Sequence, residues 1–382
     1  MTLTSINSKQ RSFIVLFVCS LLIGIKLGTL IPLLSLILES KGYSNLEIGI
    51  NTIAQPLATV LFVRITPKII HHFGLTKSLV VSQMIAIVLY FSFLFVEGLT
   101  AWFIIRFIIG FAGALAWNAF DTWMLTLADD TNRGKVVTFY NMVFAIGFAI
   151  GPAIIGLTGI EGSVPFITIA LISFVVILPI LTLKVEAPEL SDYTPIPLLL
   201  AVIAAPTIFG AAILTGLEDV MFVSFFPIYL IKSGFNYEVA LNYVTISLAG
   251  GVLVQPLIGY LLDKFNKRNI LNTLVVIIFV SPIILHFALD NFIVTIICLV
   301  AWGAAGAGLF ATGLTMLGEH YKTSQVASAT AIFVMAFEVG SVAGPLIGGK
   351  VMDIQGPSGF IVTISVITFL FLMISLYRTI RR

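Results

Sequence analysis

Seven ionisable side chains stand in or at the end of otherwise apolar stretches of this chain: Lys26, Arg106, Asp121, Glu218, Asp219, Glu338 and Glu319. A charge held away from water is costly, so each is a candidate for function before it is a candidate for packing. Carboxyls in such places can take up and release protons, and a lysine or arginine can pair with them or hold a polar cargo. Glu338 and Asp121 lead as proton carriers, with Arg106, Glu218 and Asp219 beside them. The bland readings are a static ion pair for Lys26, a snorkelling arginine for Arg106 and a protonated, hydrogen-bonded carboxyl for Glu338. Asp121 stands in Trp117-Asn118-Ala119-Phe120-Asp121-Thr122-Trp123, the makings of a binding wall. Trp117 or Phe120 offers a ring to an aromatic or cationic ligand, and Asn118 or Asp121 offers it a hydrogen bond. Trp123, near the end of its stretch, reads as an interfacial aromatic.

Other chemistries lack their residues. No phosphate-cradling loop with a lysine is present, the histidines (His71, His72, His286 and His320) are scattered, and no Ser-His-Asp or metal-ligand spacing emerges. Cys19 and Cys298 each sit inside an apolar run, which supports neither a disulfide nor a thiolate metal site. The expectation is a non-enzyme with no cofactor, no metal and no ATP motor, driven by an ion gradient or by its cargo's own gradient.

The elements that must position these groups are set by composition. Of 382 residues 59% are hydrophobic and 10% charged, with a mean hydropathy of +1.11. So few polar side chains cannot cover a water-facing surface, and lipid must be the solvent. The formal charge of +2 leaves no electrostatic footprint for nucleic acid. Twelve apolar runs of roughly the length needed to cross a bilayer recur, at about 13–38, 46–65, 78–96, 101–127, 136–159, 164–183, 206–231, 239–262, 270–289, 292–317, 326–350 and 358–377. The first lacks the short apolar core and cleavage site of a signal peptide, so it reads as a retained span.

With both termini in the cytoplasm, fifteen Lys and Arg fall in inside loops and only Lys41, Lys232 and Lys350 outside. That asymmetry fixes the expected orientation. The segment 184–197 (KVEAPELSDYTPIP) halts the helices and splits the spans six and six. The expected domains are a six-helix bundle over 1–183, a cytoplasmic linker over 184–197 and a second bundle over 198–382. The halves repeat: Gly147, Gly151, Pro152 and Gly156 recur as Gly340, Gly344, Pro345 and Gly349, and Gly110 and Gly113 as Gly303 and Gly306, all offset by 193 residues. Near the start of each half the offset is 192, relating Gly24 to Gly216, Gly42 to Gly234 and Lys26 to Glu218. Counting about 1.5 Å per residue puts Lys26 and Glu218 at one depth, so matched positions carry opposite charges. The fold class expected is an all-α polytopic membrane protein of twelve transmembrane helices in two pseudo-symmetric six-helix bundles.

Three motifs make the chain resemble the major facilitator superfamily over its whole length. Gly259-Tyr260-Leu261-Leu262-Asp263-Lys264-Phe265-Asn266-Lys267-Arg268 is similar to the family's loop motif; its counterpart, Pro67 to Lys77, keeps Gly74 but has His71 where the acid belongs. Arg106-x-x-x-Gly110 looks like the span-4 motif, whose arginine the family associates with proton transfer. Gly147-x-x-x-Gly151-Pro152-x-x-x-Gly156 is similar to the span-5 motif of its drug:proton antiporter, or exporter, branch. Small residues four apart let helices approach, and Pro152 removes a backbone donor and bends the span.

The resemblance implies a secondary transporter working by alternating access, with spans 1, 4, 7 and 10 lining a central cavity and Asp263 acting in a latch. Lys26 then pairs with Glu218 or Asp219 in one state and parts from it in the other. The preferred activity is proton-coupled efflux of a small organic molecule. The alternatives are an importer or uniporter of a nutrient, metabolite or siderophore, and a non-transporting membrane sensor. Its partners are a small-molecule substrate, protons and the bilayer of a plasma membrane, for a monomer with no nucleic acid bound.

Overall fold

A computed structural model describes residues 8–127, 133–181 and 197–380. Among them every regular element is a helix. In chain order these are α1 (Ser8–Ser40), α2 (Asn45–Thr52), α3 (Ala54–Phe62), α4 (Thr66–Phe73), α5 (Leu75–Ser92), α6 (Leu99–Leu127), α7 (Arg133–Thr158) and α8 (Val164–Leu181). There follow α9 (Leu198–Ala204), α10 (Pro206–Lys232), α11 (Tyr237–Lys264), α12 (Lys267–Ala288), α13 (Phe292–His320), α14 (Thr323–Gln355) and α15 (Gly359–Ile380). The expected linker lies outside the described residues except for Pro197, which precedes α9.

Eleven of the described helices are long and apolar enough to cross a bilayer, and a bent pair makes a twelfth. Its first member, Asn45–Phe62, is the expected second span over 46–65, interrupted at Ile53, and the bend falls at the end of it. Asn45–Phe62 and Thr66–Phe73 meet at 67°, for reasons of backbone chemistry. α2 stops at Thr52, four residues before Pro56, which cannot donate to that carbonyl; beyond the bend, Pro67 starts α4 on a new axis.

The chain divides into two compact units, Met1–Leu33 with Leu57–Leu190 and Leu34–Pro56 with Ser191–Arg382. In the first, Leu16, Cys19, Leu79, Phe120, Trp123, Tyr140 and Val176 form the core. The seam between α1 and α7 is built from glycine: a methyl on Gly24 would overlap the Phe144 carbonyl, one on Gly147 the Leu21 carbonyl and one on Gly151 the backbone of Gly28. Thr29 Oγ donates to the Gly151 carbonyl at 3.0 Å across the same seam. In the second unit, α10 and α14 repeat the arrangement. Gly216 lies against the Phe337 carbonyl, Gly340 against that of Ile213 and Gly344 against that of Leu217. The sequence repeat is therefore a repeat of packing, in which small residues let backbones touch where lipid supplies no hydrophobic push between helices. Gly156 is the exception: it is exposed with nothing within 4 Å of its missing methyl, so the expected motif ends at Pro152.

Candidate functional site

The seams set the depth and direction of the charges beside them. Lys26 lies on α1 between Gly24 and Gly28, and its Nζ donates to Gln83 Oε1 on α5 at 2.8 Å. Both side chains are buried, at 6% and 1% exposure. In the second unit the repeat-related Glu218, 4% exposed, accepts through Oε1 from the Trp302 indole N–H of α13. Its Oε2 has no hydrogen-bond partner among the described residues. Gly306 lies alongside, where a methyl would come within 3.4 Å of that oxygen. Each unit thus buries one charge at the matched position, bonded to a neutral side chain of a neighbouring helix. Asp219, the next residue, is exposed. Gln83 and Trp302 escaped the sequence reading. The signal for Gln83 was present, since it is the one amide in its apolar run, whereas nothing local marks Trp302 as a donor.

Arg106 is completely buried within the first unit, the placement expected of an arginine that must avoid lipid. Asp121 is half-buried and accepts from the Trp117 side chain one turn earlier. Trp117 in turn sets its ring edge against Phe144, 4.9 Å between centroids. Asn118 donates to Thr66 Oγ1, which ties α6 to the start of α4 at the break in the second span. Phe120 is in the core at 1% exposure, stacked on Trp123 at 6.0 Å. A ring so enclosed supports the wall without presenting a face to a ligand. Trp123 itself is 1% exposed, which corrects its reading as an interfacial aromatic: it packs inward on Phe120 and the surrounding core.

The loop motif is also redistributed. Gly259 and Asp263 are exposed, and Asp263 makes no ion pair among the described residues. The helix end there is capped instead by Asn266, whose Oδ1 accepts from the backbone N–H of Arg268 at 2.9 Å. Arg268 Nε donates to Thr379 Oγ1 at 2.8 Å, and Lys267 pairs with Glu319 at 2.8 Å. A short amide side chain three residues beyond Asp263 reaches the first free N–H groups of α12, which the acid on the preceding helix does not.

Glu338 is half-buried near the middle of α14, two residues before the Gly340 seam. Among the described residues it has neither a hydrogen bond nor an ion pair. A carboxyl in the interior of an apolar helix is costly to keep charged, which makes its place one to explain.

The model of the Major Facilitator Superfamily matches residues 16–288 and 208–382. The chain belongs to that superfamily. Among curated members it is similar to the uncharacterized MFS-type transporter YfkF of Bacillus subtilis, 23% identical over 91% of this chain and 90% of the relative. It is as similar to the uncharacterized MFS-type transporter YcaD of Shigella flexneri, 23% identical over 92% and 90%. Among solved structures the nucleoside transporter NupG aligns with a TM-score of 0.78 at 18% identity, covering 97% of this chain and 98% of that one. A D-xylose-proton symporter aligns at 0.77 and 15% identity, covering 96% of each. Both solved structures share the fold with this chain. The protein is a multi-pass membrane transporter and not an enzyme. The two solved folds carry a nucleoside and a sugar in their names, so this architecture is not confined to the exporter branch that the span-5 motif resembles.

Proposed function

We propose that the protein is a secondary transporter that exports a small organic molecule in exchange for protons, its two six-span halves alternating access to a mid-membrane site. The observation that carries the proton coupling is Glu338, a carboxyl at mid-membrane depth with no bonded partner among the described residues, next to a glycine seam that allows close helix movement. Asp121 with Trp117, and Asp219 beside Glu218, are the proposed contacts for cargo. Lys26 and Glu218 serve as the opposite charges that pair in another state of the cycle. The fifteen-to-three distribution of basic residues between loops supports cytoplasmic termini, and membership of the superfamily supports a place in the plasma membrane.

The test uses everted membrane vesicles, energised to acidify the lumen and loaded with a pH-sensitive dye, challenged with cationic, anionic and zwitterionic compounds. Dye recovery with one compound, absent from vesicles lacking the protein, is the expected result and supplies the substrate class. Recovery with none, together with uptake of a compound by whole cells, would replace export by import on the same fold.

A further inference from the structure

The second compact unit contains a stretch from early in the chain, Leu34–Pro56, comprising the end of α1, the following turn, all of α2 and the start of α3. Both ends of that stretch are marked by proline. Pro32 lies inside α1 just before the change of unit, and Pro56 is the last residue of the stretch. Each removes a backbone hydrogen bond and leaves the helix easy to bend there.

One side chain makes three hydrogen bonds to the start of α2. Asp353, in the last turn of α14, accepts through Oδ1 from the backbone N–H of Asn45 and from Asn45 Nδ2, both at 2.8 Å, and through Oδ2 from the backbone N–H of Leu46 at 3.0 Å. Two of these donors are among the free N–H groups at the start of α2, where the helix dipole also favours a negative charge. Ser44 and Glu47 already form a reciprocal cap on the same helix end, so the carboxylate of Asp353 is a second cap, delivered from 308 residues away. The surfaces below it are matched. Gly49 meets the carbonyl of Pro345, and Gly349 meets that of Asn45. Lys232 joins from α10, its Nζ 3.4 Å from Asn45 Oδ1 and 3.9 Å from Glu39 Oε1.

We propose that Asp353 is a positioning residue for transport: it clasps Leu34–Pro56 to the second unit in one state of the cycle and releases it in the other, with Pro32 and Pro56 as hinge positions. This rests on the alternating-access reading above. A clasp made of hydrogen bonds to an exposed carboxylate, over a seam of glycine and backbone, can part without exposing a large apolar face. Asp353 is exposed in this structure, as such a group must be to exchange its donors for water.

The experiment places a cysteine at Thr52, which is 1% exposed and shares a helical face with Asn45 and Gly49. Cys19 and Cys298 are buried, so reaction with a membrane-impermeant maleimide reports the new thiol. Asp353→Ala should speed labelling of Thr52→Cys by about tenfold or more, and Asp353→Asn, which keeps one acceptor oxygen, by less. A cysteine at the buried Thr312 of α13 should stay unreactive in every variant. A change below about twofold in Asp353→Ala overturns the clasp. If Asp353→Ala also exposes the Thr312 probe, the fold has been lost, and Asn45→Ala decides: a rise confined to Thr52→Cys upholds the clasp and no rise overturns it. Labelling that depends on Asp353 but does not respond to an imposed proton gradient upholds the clasp and counts against proton coupling instead.

Discussion

Lys26→Met and Glu218→Gln are each expected to lower transport by about tenfold or more while leaving a folded protein. Lys26 is buried with a neutral amide for its partner, and Glu218 with a neutral indole. Holding an ion in such surroundings costs several kcal/mol that a neutral pair would not, so stability gives no reason to keep either charge. Methionine has the length of lysine without its charge. It leaves Gln83 unpaired, at a cost of about 1–3 kcal/mol, against which the removed desolvation penalty counts. Glutamine at 218 still accepts from Trp302 and changes only the charge. Size-exclusion profiles and melting temperatures close to those of the parent, with transport lost, are the expected pattern. Parental transport in both variants would make the charges static and remove them from the cycle.

The second large effect lies in the seams. Gly151→Val places branched carbon on the backbone of Gly28, and Gly344→Val does the same at the Leu217 carbonyl. Neither neighbour is a side chain that can rotate aside. Overpacking of this kind costs about 1–3 kcal/mol or more, and in a seam that must also slide it adds friction. Both variants are expected to melt several degrees below the parent in detergent, or to leave little monodisperse protein. Gly156→Val is the control. It shares the motif yet has open space around it, so its effect should stay within about 0.5 kcal/mol. Equal stability of Gly151→Val and Gly156→Val would show that the close approach is not what the glycine is for.

The contrast between Gly151 and Gly156 shows what was legible in the sequence. Span positions and the two-fold repeat were readable because apolar length and glycine spacing are properties of the chain itself. The direction a given glycine faces depends on where its helix docks, and the motif alone treated all four residues alike. The broken second span was hidden for a related reason: hydropathy averages over Pro56 and Pro67, whereas the backbone responds to each ring individually. Trp123 looked interfacial from its place near the end of a run, but its ring points into the core beside Phe120. Lys26 and Glu218 were recognisable as costly charges. Their partners were not, because Gln83 and Trp302 are 57 and 84 residues away and no local pattern joins them. Asp353, whose donors lie more than 300 residues earlier, was further still from view.

The central claim, that Glu338 couples protons to an alternating-access carrier, is tested most directly by comparing two modes of transport in one variant. Once the dye assay supplies a cargo, proteoliposomes of Glu338→Gln should retain exchange of labelled for unlabelled cargo at equal pH, because both steps of that exchange run without net proton movement. The same vesicles should lose accumulation driven by a pH gradient, by about tenfold or more. Gradient-driven accumulation at the parental level in Glu338→Gln would contradict the account and move the coupling to another carboxyl.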